Sequence, residues 1–199
     1  MQKKVFLILC GITLFLITVA SFQEKLVTFF MPEKNIAPLI KGTFELQDID
    51  KKIVKDTDFR GSYMLVYFGY AFCPDICPTA LENITAALEE LPKEILDKVT
   101  PIFITIDPTR DTPEFLEKYK TSYHPKFLML WGDPIQTENA IANYRVHAQK
   151  IVSVPGASEY LIDHSSIIYL MGKRGELLAN FSHGTSPKNM IQKIKEIIR

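Results

Sequence analysis

Two cysteines, Cys73 and Cys77, stand four residues apart in the stretch FGYAFCPDICPTALENI, which runs from Phe68 to Ile84. They lie where an apolar, strand-like run gives way to a helix-like one. Three chemistries use such a pair: a disulfide, a redox-active dithiol or a metal site. Side chains at i and i+4 meet on one helical face, and a strand-to-helix turn allows a similar closeness, so both sulfurs can reach one ion. Pro74 and Pro78 each follow a cysteine and stiffen the loop, which lowers the entropy lost in holding the sulfurs together. Pro78 suits the first position of a helix, which predicts Cys77 as its N-cap. There the positive end of the helix macrodipole favours thiolate, the form that ligates metals and attacks disulfides. Asp75, between the cysteines, is expected to cap the helix; the alternative is that it adds negative potential beside a cation.

Thiolates are soft ligands that select Cu(I), zinc or iron–sulfur clusters. Two of them are too few for a cluster held by four cysteines. Structural zinc takes four protein ligands, whereas catalytic zinc can take two cysteines and one histidine with a position left open. Cu(I) accepts low coordination, and two thiolates with one imidazole would serve it. The chain has four histidines, His124, His147, His164 and His183, and spacing alone selects none of them.

The elements that must place these residues are legible as hydrophobic patterns. TFELQD and KIVK around Asp50-Lys51 read as a short hairpin. SYMLVYFGY, Ser62 to Tyr70, reads as a central strand covered on both faces. Leu81, Ile84, Leu88 and Leu91 make an apolar stripe at helical period, and Pro92 ends or kinks that helix. TPIFITID is a second buried strand. In DPTRDTPEFLEKY, Thr112 before Pro113 caps a second helix, with Asp111 and Glu114 as a capping-box alternative; the stretch Asp107 to Pro113 is read as structural on that ground. FLMLWG is a strand and Ile135 to Tyr144 a helix. RVHAQKIV is extended and SVPGASEY a loop. SSIIYLM and ELLANFS form a hairpin across Gly172 to Gly175, and Pro187 to Arg199 is a helix that buries Met190, Ile191, Ile194 and Ile198. Strand and helix alternate, and a hairpin and helix close the chain. The expected fold is therefore α/β: a thioredoxin-like mixed sheet flanked by helices, with an N-terminal β-hairpin. Tyr67, Phe68, Tyr70 and Phe72 are expected as core and rim aromatics.

The chain holds 199 residues, 47% of them hydrophobic and 23% charged, with a formal net charge of zero. No basic surface argues for nucleic acid. Lys3 and Lys4 precede an uncharged run of 18 residues from Val5 to Phe22. As a helix this run is roughly 27 Å long, enough to cross a bilayer core, and the lysines would hold the N-terminus in the cytoplasm. Thr18-Val19-Ala20 is a mediocre signal-cleavage site, and Ile8-Leu9 before Cys10 do not fit a lipoprotein signal, so an uncleaved single-pass anchor is preferred, with Cys10 as one of its apolar residues. The expected organisation is an anchor at 1–22, a linker at 23–39 and one domain at 40–199, held in the periplasm on a bacterial cytoplasmic membrane. That compartment is oxidising. Two cysteines in such a domain do not make a disulfide scaffold, so the pair is chemical rather than architectural.

YFGYAFCPDICPTAL, TIDPTRDTPEFLEKY and YLIDHSSIIYLMGKRGE together resemble the Sco/SenC family, over about residues 40 to 199. These are membrane-anchored, thioredoxin-fold copper chaperones for cytochrome c oxidase assembly. The C-P-D-x-C-P stretch carries most of the resemblance. It implies that Cys73, Cys77 and His164 bind one copper ion per chain, as Cu(I) or Cu(II). It further implies a copper donor and an acceptor, cytochrome c oxidase subunit II with its binuclear copper centre, or the assembly factors of that subunit. On this reading the protein is not a turnover enzyme. Thioredoxin-like oxidoreductases carry a cis-proline facing the dithiol on the loop that leads into the strand corresponding to SSIIYLM; here His164 stands in its place, which favours a metal ligand by analogy of fold. Asp163 could orient that imidazole. The alternative is a thiol–disulfide oxidoreductase that reduces the acceptor's cysteines, with Cys73 and Cys77 as a redox-active disulfide. His124, His147 and His183 are read as structural.

Overall fold

The computed structural model describes residues 40–151 and 160–198. The expected anchor at 1–22, the linker at 23–39 and nearly all of the SVPGASEY loop lie outside the described residues. Among those described, no helix is long and apolar enough to cross a membrane.

The strands are β1 (Glu45–Asp48), β2 (Ile53–Lys55), β3 (Tyr63–Gly69), β4 (Val99–Thr105), β5 (Leu128–Trp131), β6 (Ala148–Ile151), β7 (Leu161–His164), β8 (Ile167–Met171) and β9 (Leu177–Ser182). The α-helices are α1 (Ile76–Glu90), α2 (Lys93–Leu96), α3 (Pro113–Lys120), α4 (Pro134–Tyr144) and α5 (Pro187–Ile197). Seven strands form one mixed sheet in the order β2-β1-β5-β4-β3-β8-β9. β3, β4 and β5 run parallel; β8 pairs antiparallel with β3, and β1 with β5. This is the thioredoxin-like arrangement expected from the order of elements, and β3 lies inside the sheet as its unbroken apolar run requires.

Alternation along β3 sends neighbouring residues to opposite faces, and each face holds its own aromatic cluster. Tyr67 meets Phe103, which meets Tyr119 of α3. Phe68 meets Tyr144 of α4 and Tyr169 of β8. Helices thus cover both faces. Their starts follow from local chemistry: the Thr112, Asp133 and Ser186 side chains accept from Phe115, Gln136 and Asn189 N–H, with proline at the first position of each helix. The apolar stripe of α1, at Leu81, Ile84 and Leu88, is fully buried, and α1 packs on α5.

One strand departs from expectation. Leu161–His164 is a strand, β7, and pairs antiparallel with β6 as a separate two-stranded sheet. β6 is exposed along its whole length and only Ile162 of β7 is buried. The alternation that marks a half-buried strand is therefore too short to read in the sequence.

Candidate metal centre

Helix α1 begins two residues earlier than the prolines suggest. Ile76 is its first residue and Asp75 its N-cap, so Cys77 lies within the first turn and not at the cap. A proline is tolerated throughout a first turn, because the N–H groups there lack partners inside the helix. Asp75 makes no side-chain capping bond. The capping role passes to a sulfur: Cys77 N–H donates to Cys73 Sγ at 3.4 Å. Cys73 is therefore the sulfur that faces the positive helix end.

This reverses the expected thiolate. The adjacent Cys77 side chain is the largest cause that lowers the Cys73 thiol well below its ordinary range; burial opposes it, and the Asp75 and Cys77 backbone N–H groups add to it. Cys77 is pushed up, first by the adjacent Cys73 side chain, then by burial and by the Cys73 charge. Of the two sulfurs, Cys73 is the one placed to ionise more readily. Both cysteines are free thiols and both are buried, Cys77 completely. Gly69, at the end of β3, makes the room: a Cβ there would lie 2.8 Å from Cys77 Sγ.

His164 ends β7 and brings Nε2 to 3.3 Å from Cys77 Sγ. Its Nδ1 lies 3.1 Å from the Ser165 carbonyl oxygen. A carbonyl only accepts, so Nδ1 carries the proton and Nε2 turns its lone pair toward the sulfurs. Tyr67 and Tyr70 meet the imidazole edge-on at centroid distances of 6.4 and 5.8 Å. The ligand atoms of Cys73, Cys77 and His164 all lie within 4.8 Å of one another. A cleft of about 240 Å³ opens beside them, lined in part by Ile76, Ile151 and Leu161. Two soft sulfurs and one imidazole can hold a single soft or borderline cation, and the same sulfurs can close into a disulfide.

Other expected residues fall elsewhere. Asp163 does not orient His164; it faces His147 at 3.8 Å on the exposed side of the hairpin, because neighbours in a strand point oppositely. His124 Nδ1 accepts from Lys126 N–H, a local structural bond. Phe72 is an exposed rim residue stacked on Phe115.

The stretch Asp107 to Pro113 does more than cap a helix. Thr112 is the cap, but Asp111 is fully buried and its Oδ2 accepts from Ala71 N–H at 2.9 Å and from Thr105 Oγ1 at 2.6 Å. It braces the cysteine loop, and burial pushes its carboxyl up to about 6. Asp107 is buried too; it pairs with Arg110 and accepts from Tyr160 Oη at 2.7 Å. The sequence held a signal for this: two acids and an arginine crowd a strand-to-helix turn that needs only one cap.

Residues 32–199 match the family model described as SCO1/SenC. A SCO2-like protein of Rickettsia felis is 36% identical across 98% of this chain and 98% of its own length. Another SCO2-like protein, from Rickettsia prowazekii, is 40% identical over 78% of this chain and 76% of its own. The structure of Bradyrhizobium japonicum ScoI with copper bound superposes with a TM-score of 0.72 at 37% identity, covering 79% of this chain and 98% of that one. Yeast Sco1 with copper bound gives 0.73 at 33% identity, over 80% and 88%.

Proposed function

Because this chain belongs to the SCO1/SenC family, we propose that it is a copper-binding assembly factor in which Cys73, Cys77 and His164 carry the ion. The observation that supports this most is the convergence of these three donor atoms within 4.8 Å, from a helix start and a separate hairpin. Two thiolates around Cu(I) leave a net charge of −1, and around Cu(II) leave none, so both oxidation states are tolerable. The copper is cargo: it passes by ligand exchange to a dithiolate acceptor, and the binuclear copper centre of cytochrome c oxidase subunit II is the acceptor the family points to. In this reading residues 1–22 anchor the chain in a bacterial cytoplasmic membrane, 23–39 link, and 40–199 work on the periplasmic side beside the acceptor.

The experiment is a copper titration of the reduced protein followed by thiol counting. One copper per chain with both thiols protected is expected, and protein that takes up no copper overturns the reading. A second reading has its own observation. The Cys73 sulfur accepting from a helix-start N–H beside the fully buried Cys77 sulfur is the asymmetry of a thiol–disulfide oxidoreductase. It would reduce the acceptor's cysteines and would not need His164.

A further inference from the structure

The histidine strand is tied to the main sheet at one end only: after Ser165 and Ser166 the chain enters β8, and the Ser166 carbonyl accepts from His183 N–H. Among the described residues β7 pairs only with β6, outside the seven-stranded sheet that carries the cysteine loop. Side-chain ties therefore hold its other end, at Tyr160, and with it the tilt of the strand that carries His164. They converge on Arg110.

Arg110 Nη1 donates to the Tyr160 carbonyl at 2.9 Å, and the guanidinium lies over the Tyr160 ring at 3.7 Å from its centroid. The Tyr160 hydroxyl donates to Asp107, the carboxylate that Arg110 Nε also holds. Tyr160 is thus gripped at its backbone, its ring and its hydroxyl. On the cysteine side the same guanidinium faces Phe72 at 5.1 Å and Tyr70 at 5.6 Å, and Tyr70 Oη accepts from Ile162 N–H at 3.2 Å. In an extended segment residues i, i+2 and i+4 share a face. Tyr160, Ile162 and His164 are such a series: the first is clamped, the second buried and the third aimed at Cys77.

We propose that Arg110 is the positioning residue for His164: it locks Tyr160, and with it β7, against the cysteine loop, and so decides whether the imidazole reaches the sulfurs. The proposal rests on the copper-site reading for its consequence but not for its geometry. The role demands arginine. A planar fork bonds the Asp107 carboxylate and the Tyr160 carbonyl together while stacking on a ring; a lysine keeps the charge but offers neither the fork nor the flat face.

Arg110→Ala would strand the buried Asp107 carboxylate, so the informative variants are Arg110→Lys and Tyr160→Ala, made in the full chain. In the reduced, metal-free protein with ¹⁵N-labelled histidine, both should shift or broaden the His164 ring signals and leave those of His124 and His183 in place. Unmoved His164 signals in both variants overturn the inference, whatever copper does. In the same proteins Cu(II) affinity should fall about ten- to a hundredfold, the usual cost of losing a residue that orients a ligand, and the nitrogen hyperfine pattern of the bound ion should weaken. Wild-type affinity and hyperfine pattern in both variants, with His164→Ala losing both, overturn the inference and spare the copper reading. Wild-type protein that binds no copper overturns that reading, and the metal-free histidine signals alone then decide the inference.

Discussion

The two halves of the candidate metal centre are built by different physics. The cysteine half hangs between β3 and α1, whose apolar residues are almost all fully buried, and Asp111 pins its loop to the end of β4. Hydrophobic burial fixes it, and a core packed to crystal density resists displacement. The histidine half rides on a two-stranded ribbon with one buried side chain per pair of strands, held by Arg110, Tyr160 and Tyr70. A short two-stranded ribbon is marginal by itself. One part of the site is therefore fixed with the fold, and the other is adjustable through a few polar ties.

Changes to each half sharpen that contrast. Cys73→Ser or Cys77→Ser should abolish copper binding, one ion per chain falling to none by titration, while circular dichroism stays that of the wild type. His164→Ala should also lose stable copper, yet leave disulfide exchange nearly intact because the thiol pair is untouched; full copper retention would remove His164 from the ligand set. Asp111→Asn probes the bracing of the fixed half. Its carboxyl rises from 3.8 to about 6 in the fold. Between those values the unfolded chain has released its proton and the folded chain still holds it, so stability falls as pH rises through the window. At ~1.4 kcal/mol per pH unit, wild type should lose about 2 kcal/mol relative to Asp111→Asn between pH 4 and pH 7, measured by denaturant unfolding. Thr112→Ala removes only a helix cap and should cost about 1 kcal/mol with copper affinity unchanged.

The same division governed what could be read in the sequence. The fixed half announces itself, because a continuous run such as Met64 to Phe68 or a stripe such as Leu81, Ile84 and Leu88 reports burial directly through its period. The adjustable half does not. β7 contributes one buried residue in four, below any periodic signal. Arg110, Asp107 and Asp111 look like surface charge until tertiary partners such as Tyr160 and Ala71, distant in the chain, are brought to them. Proline fits several first-turn positions equally, so the sequence places the helix start two residues late and makes Cys77, not Asp75, the N-cap. No sequence rule places Cys73 Sγ where a capping oxygen usually sits.

Gly69 carries a consequence for how such chains are sorted. The berth of Cys77 Sγ is the side chain that Gly69 lacks, with the Tyr67 ring and the Phe103 ring closing it from behind at 2.9 and 3.2 Å from where a Cβ would stand. A single methyl at that position would evict the sulfur while every donor atom remained in the chain. A relative could then keep both cysteines and the histidine and be mute toward metal. An inventory of ligands would count it as competent, and only the missing hydrogen-sized gap in β3 would give it away.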